Sequence, residues 1–86
     1  MNNYTIKWKS SAVKELSSIP KQYAKKIIES IDELQHSPRP PDCRKLRLFN
    51  NIYRIKISNY RVIYSIQDNI LLIEIIKIGH RKEVYR

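Results

Sequence analysis

Residues 52–64 constrain the fold more than any other stretch, because their side chains alternate with the two-residue period of a β-strand. Ser58-Asn59 predicts a two-residue turn in the middle, since asparagine tolerates a positive φ better than most residues. That turn creates only apolar or aromatic pairs on one face: Ile57 with Tyr60, Ile55 with Val62, and Tyr53 with Tyr64. We therefore predict an antiparallel hairpin in this register.

The second face of the predicted hairpin is basic. It carries Arg54 and Lys56 on the first strand and Arg61 on the second, and the register sets Lys56 directly opposite Arg61. Like charges that face each other across strands are destabilising. An anionic ligand, most simply a phosphate, would offset this repulsion by binding between the two cations.

The charge of the whole chain agrees with an anionic partner. Its 86 residues, which we interpret as one domain, include 17 Lys and Arg against 8 Asp and Glu, a formal charge of +9. Such a field favours nucleic acid, an anionic membrane or an acidic protein. The single cysteine, Cys43, excludes an internal disulfide, and no apolar run is long enough to span a membrane. We expect a cytoplasmic protein with no membrane partner.

The remaining segments predict an α+β fold. Residues 4–8 alternate as a short strand, and a first helix follows from Ser10. A second helix after Pro20 carries an apolar stripe at helical spacing: Tyr23, Ile27, Ile31 and Leu34. Residues 70–78 are apolar enough for a central strand. We predict a small antiparallel sheet with an N-terminal strand and a two-helix hairpin on one face, which leaves the basic face open.

The chain closes on a polar segment at the end of that last strand. Gly79, the only glycine, predicts a turn or bulge there. It is followed by a histidine, two cations and a tyrosine: His80, Arg81, Lys82 and Tyr85.

These segments, taken in order, resemble the RelE/ParE family of toxins from toxin–antitoxin pairs. The resemblance extends over nearly the whole chain and is carried by residues 12–16, Ile19-Pro20, Pro38, Lys45-Leu46, residues 53–56, residues 60–64 and residues 79–85. It implies the microbial RNase-like fold of RelE, which agrees with the elements predicted above. RelE-type members cut messenger RNA in the ribosomal A site and are bound by an acidic, RelB-like antitoxin. The resemblance therefore implies partners on the ribosome and a heteromeric complex with an antitoxin.

The resemblance also implies roles for individual residues. It assigns catalysis to Lys56, Arg61, Arg81 and Tyr85. The remaining basic residues are expected to bind RNA or phosphate: Arg54, Lys45, Arg47, His80 and Lys82. Arg54 departs from the family pattern, because RelE itself has lysine at the matching position.

Such a site can cut RNA without a metal if the 2′-hydroxyl of the RNA attacks the adjacent phosphorus. Lys56 is the better base, because arginine stays protonated, and Arg61 is the better clamp for the charged phosphorane. His80 and Arg81 compete as the acid that protonates the leaving oxygen. The His and Cys residues show no metal-ligand spacing, so we expect no metal and no cofactor.

Two other functions fit the same residues. A ParE-like inhibitor of DNA gyrase would share the fold but is not expected to need this set of basic residues. A non-catalytic nucleic-acid-binding module would explain the net charge but not the facing Lys56 and Arg61.

Overall fold

The structure, a computed structural model, describes the backbone of residues 3–84 and the side chains of residues 3–82. Five strands, three helices and one 3₁₀ turn follow in this order: β1 (Thr5–Trp8), α1 (Ser10–Ser17), α2 (Lys21–Glu33), β2 (Arg44–Lys45), β3 (Ile52–Ile57), β4 (Tyr60–Gln67), the 3₁₀ turn (Asp68–Ile70), β5 (Leu72–His80) and α3 (Arg81–Val84). None of the helices among these residues is long and apolar enough to cross a membrane.

The strands form one sheet in the order β1-β5-β4-β3-β2. Strands β3, β4 and β5 pair antiparallel, as predicted, and the two-residue strand β2 pairs antiparallel with β3. β1 also joins the sheet, but it runs parallel to β5, with Thr5 beside Leu72 and Trp8 beside Ile75. β4 therefore lies in the middle of the sheet, between β3 and β5.

The predicted hairpin is confirmed in its register. Ile57 pairs with Tyr60 and Lys56 pairs with Arg61. The positive φ in the turn belongs to Ser58, at 57°, rather than to Asn59 as we had expected. A left-handed backbone at a residue other than glycine costs roughly 1–2 kcal/mol. Arg61 donates to the Ser58 and Tyr60 carbonyls at 3.4 and 3.0 Å, and the Arg81 amide donates to the Asn59 carbonyl at 2.8 Å; these contacts hold the turn.

Both helices cover the tyrosine-bearing face of the sheet, as the apolar stripe predicted. Ile27 and Ile31 of α2 are fully buried, and Leu34 is nearly so. They share one core with the inward side chains of the sheet, which include Ile55, Ile57, Val62, Tyr64, Ile66, Ile73, Ile75 and Ile78. Core burial of this kind is the main stabilising contribution to a small domain.

A polar network connects the proline-rich segment after α2 with β3, with the 3₁₀ turn after β4 and with the residue that precedes β1. Arg39 donates to both carboxylate oxygens of Asp68, at 3.3 and 2.8 Å, and to the Tyr53 hydroxyl at 3.1 Å. The Tyr4 hydroxyl donates to Asp68 at 2.6 Å. The bonds from Arg39 and then Tyr4 hold the pKa of Asp68 below its ordinary value. Four segments far apart in sequence are thereby fixed to one another.

Candidate active site

The sheet register gathers the basic residues in two neighbouring rows on the face away from α1 and α2. In one row Lys56 pairs with Arg61, which pairs in turn with Gly79. Because glycine has no side chain, Gly79 adds no side chain to this face beside Arg61. In the next row Arg44 of β2 pairs with Arg54 of β3.

The exposure that we expected for Arg61 was wrong. Arg61 is only 8% exposed, and its neighbours on the same face of β4, Ile63 and Ser65, are also buried. β4 is the middle strand of the sheet, and α3 packs against β4 and β5. One terminal nitrogen of Arg61 donates to the carbonyls of Ser58 and Tyr60, at 3.4 and 3.0 Å. Most of the Arg61 side chain is therefore covered by neighbouring residues, and only part of the basic face is accessible to solvent.

Two further arginines lie close enough to Arg61 to act on its charge. Burial lowers the pKa of Arg61, and the positive charges of Arg54 and Arg81 lower it further. We call Arg54, Arg61 and Arg81 the arginine cluster. The cations that act on Arg61 are thus those of this cluster, whereas the backbone register had pointed to Lys56. A bound anion would relieve the repulsion among the three guanidinium groups.

Lys56 lies beside the arginine cluster at an exposed edge. β2 pairs with β3 only at Tyr53 and Arg54, so no described strand pairs with the outer edge of β3 at Lys56, whose side chain is exposed. Lys56 also borders a groove of about 540 Å³ between α2 and β3, where Glu29 and Glu33 line the helical side. Its ammonium group is therefore accessible to a ligand that lies on either side of the strand edge.

His80 is not part of the same face. It pairs with Tyr60, one residue beyond the Arg61–Gly79 pair, so its side chain points to the side covered by the helices. Its ring meets the edge of the Tyr60 ring, with centroids 5.8 Å apart. Nδ1 accepts a hydrogen bond from the Lys82 amide at 3.3 Å, which leaves the proton of the neutral ring on Nε2. The structure separates His80 from the arginine cluster, contrary to our expectation that it binds phosphate there.

The remaining predicted residues are more scattered. Arg81 and Lys82 are exposed at the start of α3, whereas Tyr85 lies outside the described residues. Lys45 and Arg47 are exposed, and Lys45 pairs with Tyr53, on the side opposite to Arg54. Among the side chains of residues 3–82, no three His, Cys, Asp or Glu groups lie close enough together to hold a metal ion.

Sequence reasoning overlooked Arg44. The register of β2 places it beside Arg54, so it extends the basic face by one strand. A two-residue strand after three prolines has no periodicity that would have identified it.

Comparison with known proteins identifies the family. The family model described as the ParE toxin of the type II toxin–antitoxin system, parDE, matches residues 6–85 of this chain. The chain belongs to the RelE/ParE family of toxins. It is 30% identical to toxin RelE3 of Methanocaldococcus jannaschii over 77 residues, which cover 85% of each protein.

Solved structures of RelE-type toxins share the fold. A RelE–RelB complex from Pyrococcus horikoshii OT3 aligns with a TM-score of 0.84 and 33% identity, over 96% of this chain and 99% of that chain. The intact E. coli RelBE toxin–antitoxin complex aligns with a TM-score of 0.80 and 26% identity, over 90% and 95% of the two chains. The predicted RelE-like α+β fold is thereby confirmed, and the family member is a toxin of the RelE type.

Proposed function

We propose that this toxin is a ribosome-dependent endoribonuclease that cuts messenger RNA in the A site and so stops translation. The observation that carries the proposal is the arginine cluster with Lys56 beside it, on one face of a RelE-type sheet. Three guanidinium groups that repel one another suit a doubly charged phosphorane, because a bound anion stabilises all of them at once. The proposed place of action is the cytoplasm, where the ribosomes are.

The proposed reaction uses the RNA itself as the nucleophile. The 2′-oxygen forms a bond to the adjacent phosphorus while the bond from phosphorus to the 5′-oxygen of the next nucleotide breaks. A base takes the proton of the 2′-hydroxyl, and an acid returns a proton to the departing 5′-oxygen. The products are a 2′,3′-cyclic phosphate and a 5′-hydroxyl.

Lys56 is the proposed base. It is exposed, whereas Arg61 is buried, and an arginine almost never carries the neutral group that a base needs before the reaction. A directly opposed pair on neighbouring strands has its Cβ atoms about 5 Å apart. In the proposed complex, that spacing lets Lys56 reach the 2′-hydroxyl of the ribose while Arg61 contacts the oxygens of the adjacent phosphate.

Arg81 is the proposed acid, and Arg54 and Arg61 are the proposed phosphate clamp. Arg81 is exposed and close enough to Arg61 to lower the pKa of that group. His80 would have to donate from the other side of the sheet. A doubly protonated His80 would also lose its bond from the Lys82 amide. Tyr85 remains a proposed stacking residue for a base.

A distinguishing experiment uses the termini of the products. Ribosomes that carry a defined message in the A site are mixed with excess toxin, and the fragments are analysed for their ends. The proposal expects one cut in the A-site codon, with a 2′,3′-cyclic phosphate on the upstream fragment. A 3′-hydroxyl with a 5′-phosphate on the downstream fragment would contradict the proposed 2′-hydroxyl attack.

The second candidate, inhibition of DNA gyrase, is favoured by the ParE name of the matching family model. The two functions differ in what stops first after the toxin is induced. If the toxin stops translation, incorporation of labelled amino acid should fall before incorporation of labelled thymidine, which reports DNA synthesis. If thymidine incorporation falls first and messages stay intact, the gyrase function is correct.

We also propose that an acidic antitoxin binds the basic face. The solved relatives include RelE–RelB complexes, and the formal charge of +9 favours a partner of opposite sign. Co-expression with the chain encoded next to the toxin should restore growth and give a stable complex. A neighbouring chain that neither binds nor restores growth would contradict this proposal.

A further inference from the structure

The loop between β2 and β3 presents two large apolar side chains to solvent. Leu48 is 90% exposed and Phe49 is 57% exposed. Leu48 is the more exposed of the two, and few large apolar side chains among the described residues are exposed at all. Adjacent apolar residues this exposed form a patch that a binding partner would cover.

Backbone bonds hold this loop in place. The Leu46 amide donates to the Ile52 carbonyl at 2.9 Å, and the Phe49 amide donates to the Leu46 carbonyl at 3.3 Å. The far side is fastened to β4, because the Ile66 amide donates to the Asn51 carbonyl at 3.0 Å. The apolar pair is therefore presented by an ordered turn, which lowers the entropy lost when a ligand binds.

The charge around the loop identifies the class of partner. No Asp or Glu occurs between Asp42 and Asp68, and that interval contains six cations: Arg44, Lys45, Arg47, Arg54, Lys56 and Arg61. Arg44, Lys45 and Arg47 are exposed next to the apolar pair. A ligand that combines flat apolar surfaces with regularly spaced negative charges fits this pattern, and unpaired RNA has both, in its bases and its phosphates.

We propose that Leu48 and Phe49 bind an unpaired RNA base, while Arg44 and Arg47 contact the phosphates beside it. This site rests on the proposed function and adds a second RNA contact to it. Arg44 pairs with Arg54, so one cation of β2 lies between the arginine cluster and the loop. Lys56 lies four residues along β3 from the start of the strand, which places the loop about 15 Å from the proposed base. The loop thus determines how tightly RNA is held and takes no part in the chemistry.

The test measures binding and chemistry separately for Phe49→Ala, Phe49→Tyr and a control, Val13→Ala. Val13 is a 49% exposed apolar residue on α1, and this helix covers the face of the sheet opposite to the arginine cluster. In single-turnover cleavage, Phe49→Ala should raise the half-saturating toxin concentration roughly 10-fold and leave the saturating rate unchanged. Phe49→Tyr keeps an aromatic face and should bind like the wild type. An effect of Phe49→Ala no larger than that of Val13→Ala would overturn the proposal.

A cleavage-independent measurement separates this site from the proposed function. Fluorescence anisotropy with an unstructured RNA 20-mer should show a roughly 10-fold higher dissociation constant for Phe49→Ala. If the wild type binds this RNA through Phe49 but does not cut messages on ribosomes, the proposed function fails and the RNA site stands. If Phe49→Ala weakens antitoxin binding and leaves RNA binding unchanged, the patch binds protein and the proposal is wrong.

Discussion

Replacing Arg61 by alanine should impair both stability and activity, whereas replacing Lys56 by alanine should impair activity alone. Arg61 is 8% exposed and donates to two carbonyls of the hairpin turn, at 3.0 and 3.4 Å. Lys56 is exposed at the strand edge. Because the sequence predicted an open basic face, it gave no reason to expect that Arg61 contributes to stability; its burial provides that reason.

The size of the effect follows from opposing contributions. A hydrogen bond from a charged donor contributes about 1.5–3 kcal/mol, and here one of the two bonds is long. Against this, burial and the charges of Arg54 and Arg81 lower the pKa of Arg61, so removing its charge relieves some strain on the folded state. We expect Arg61→Ala to lower the free energy of unfolding by about 1–2 kcal/mol, which is roughly 5–15 °C in Tm. Lys56→Ala should change it by less than about 0.5 kcal/mol.

The assay combines urea unfolding with single-turnover cleavage at a temperature where each variant is fully folded. Lys56→Ala should lower the saturating cleavage rate by about 10²-fold or more, the usual scale for a general base. Arg61→Lys keeps the charge without the planar fork and should also cleave slowly. Arg61→Met keeps the apolar stem, so the difference between it and Arg61→Ala isolates the packing of that stem.

Two outcomes would refute this reasoning. Arg61→Ala with the unfolding midpoint of the wild type would mean that its bonds to the turn do not stabilise the hairpin. A folded Lys56→Ala variant that cleaves at the wild-type rate would show that Lys56 is not the base.

Two more predictions concern groups outside the arginine cluster. Asp68→Asn should destabilise the domain at pH 7, and in urea titrations the difference from the wild type should shrink as pH falls through the depressed pKa of Asp68, below its ordinary 3.8. Glu29→Gln, at an exposed position on α2, should leave the free energy of unfolding at pH 7 within about 0.5 kcal/mol of the wild type. His80→Ala should lower Tm through loss of its contacts with Tyr60 and the Lys82 amide, yet leave the single-turnover rate unchanged; a fall of 10²-fold in that rate with intact folding would make His80 the acid.

The local patterns of the sequence predicted much of the fold. The two-residue period predicted the register of the hairpin, because a slip of one residue would have turned Tyr53 and Ile55 out of the core. The helical spacing of Ile27 and Ile31 likewise predicted which face of α2 is buried. Both predictions depend on neighbours within one element or one hairpin.

What the sequence could not predict depends on contacts between distant segments. Arg61 is buried on the middle strand of the sheet, which α3 also approaches, and neither the strand order nor this approach can be read from a local pattern. An irregularity opposite Ile63 and Tyr64 shifts the register of β5, so residues beyond it cannot be assigned to a face by counting. His80 lies beyond this point, which is why its separation from the arginine cluster was not foreseen. The bond of Arg39 to Asp68, 29 residues away, has no local signal at all.

The central claim is that this toxin cuts RNA by activating the 2′-hydroxyl of the message on the ribosome. The most direct measurement replaces the ribose at the cleaved position of an A-site codon by deoxyribose and follows single-turnover cleavage on pre-assembled ribosomes. Our account predicts no cut at that position, with binding of the toxin to the ribosome unchanged. A deoxyribose message that is cut at the wild-type rate would contradict the account.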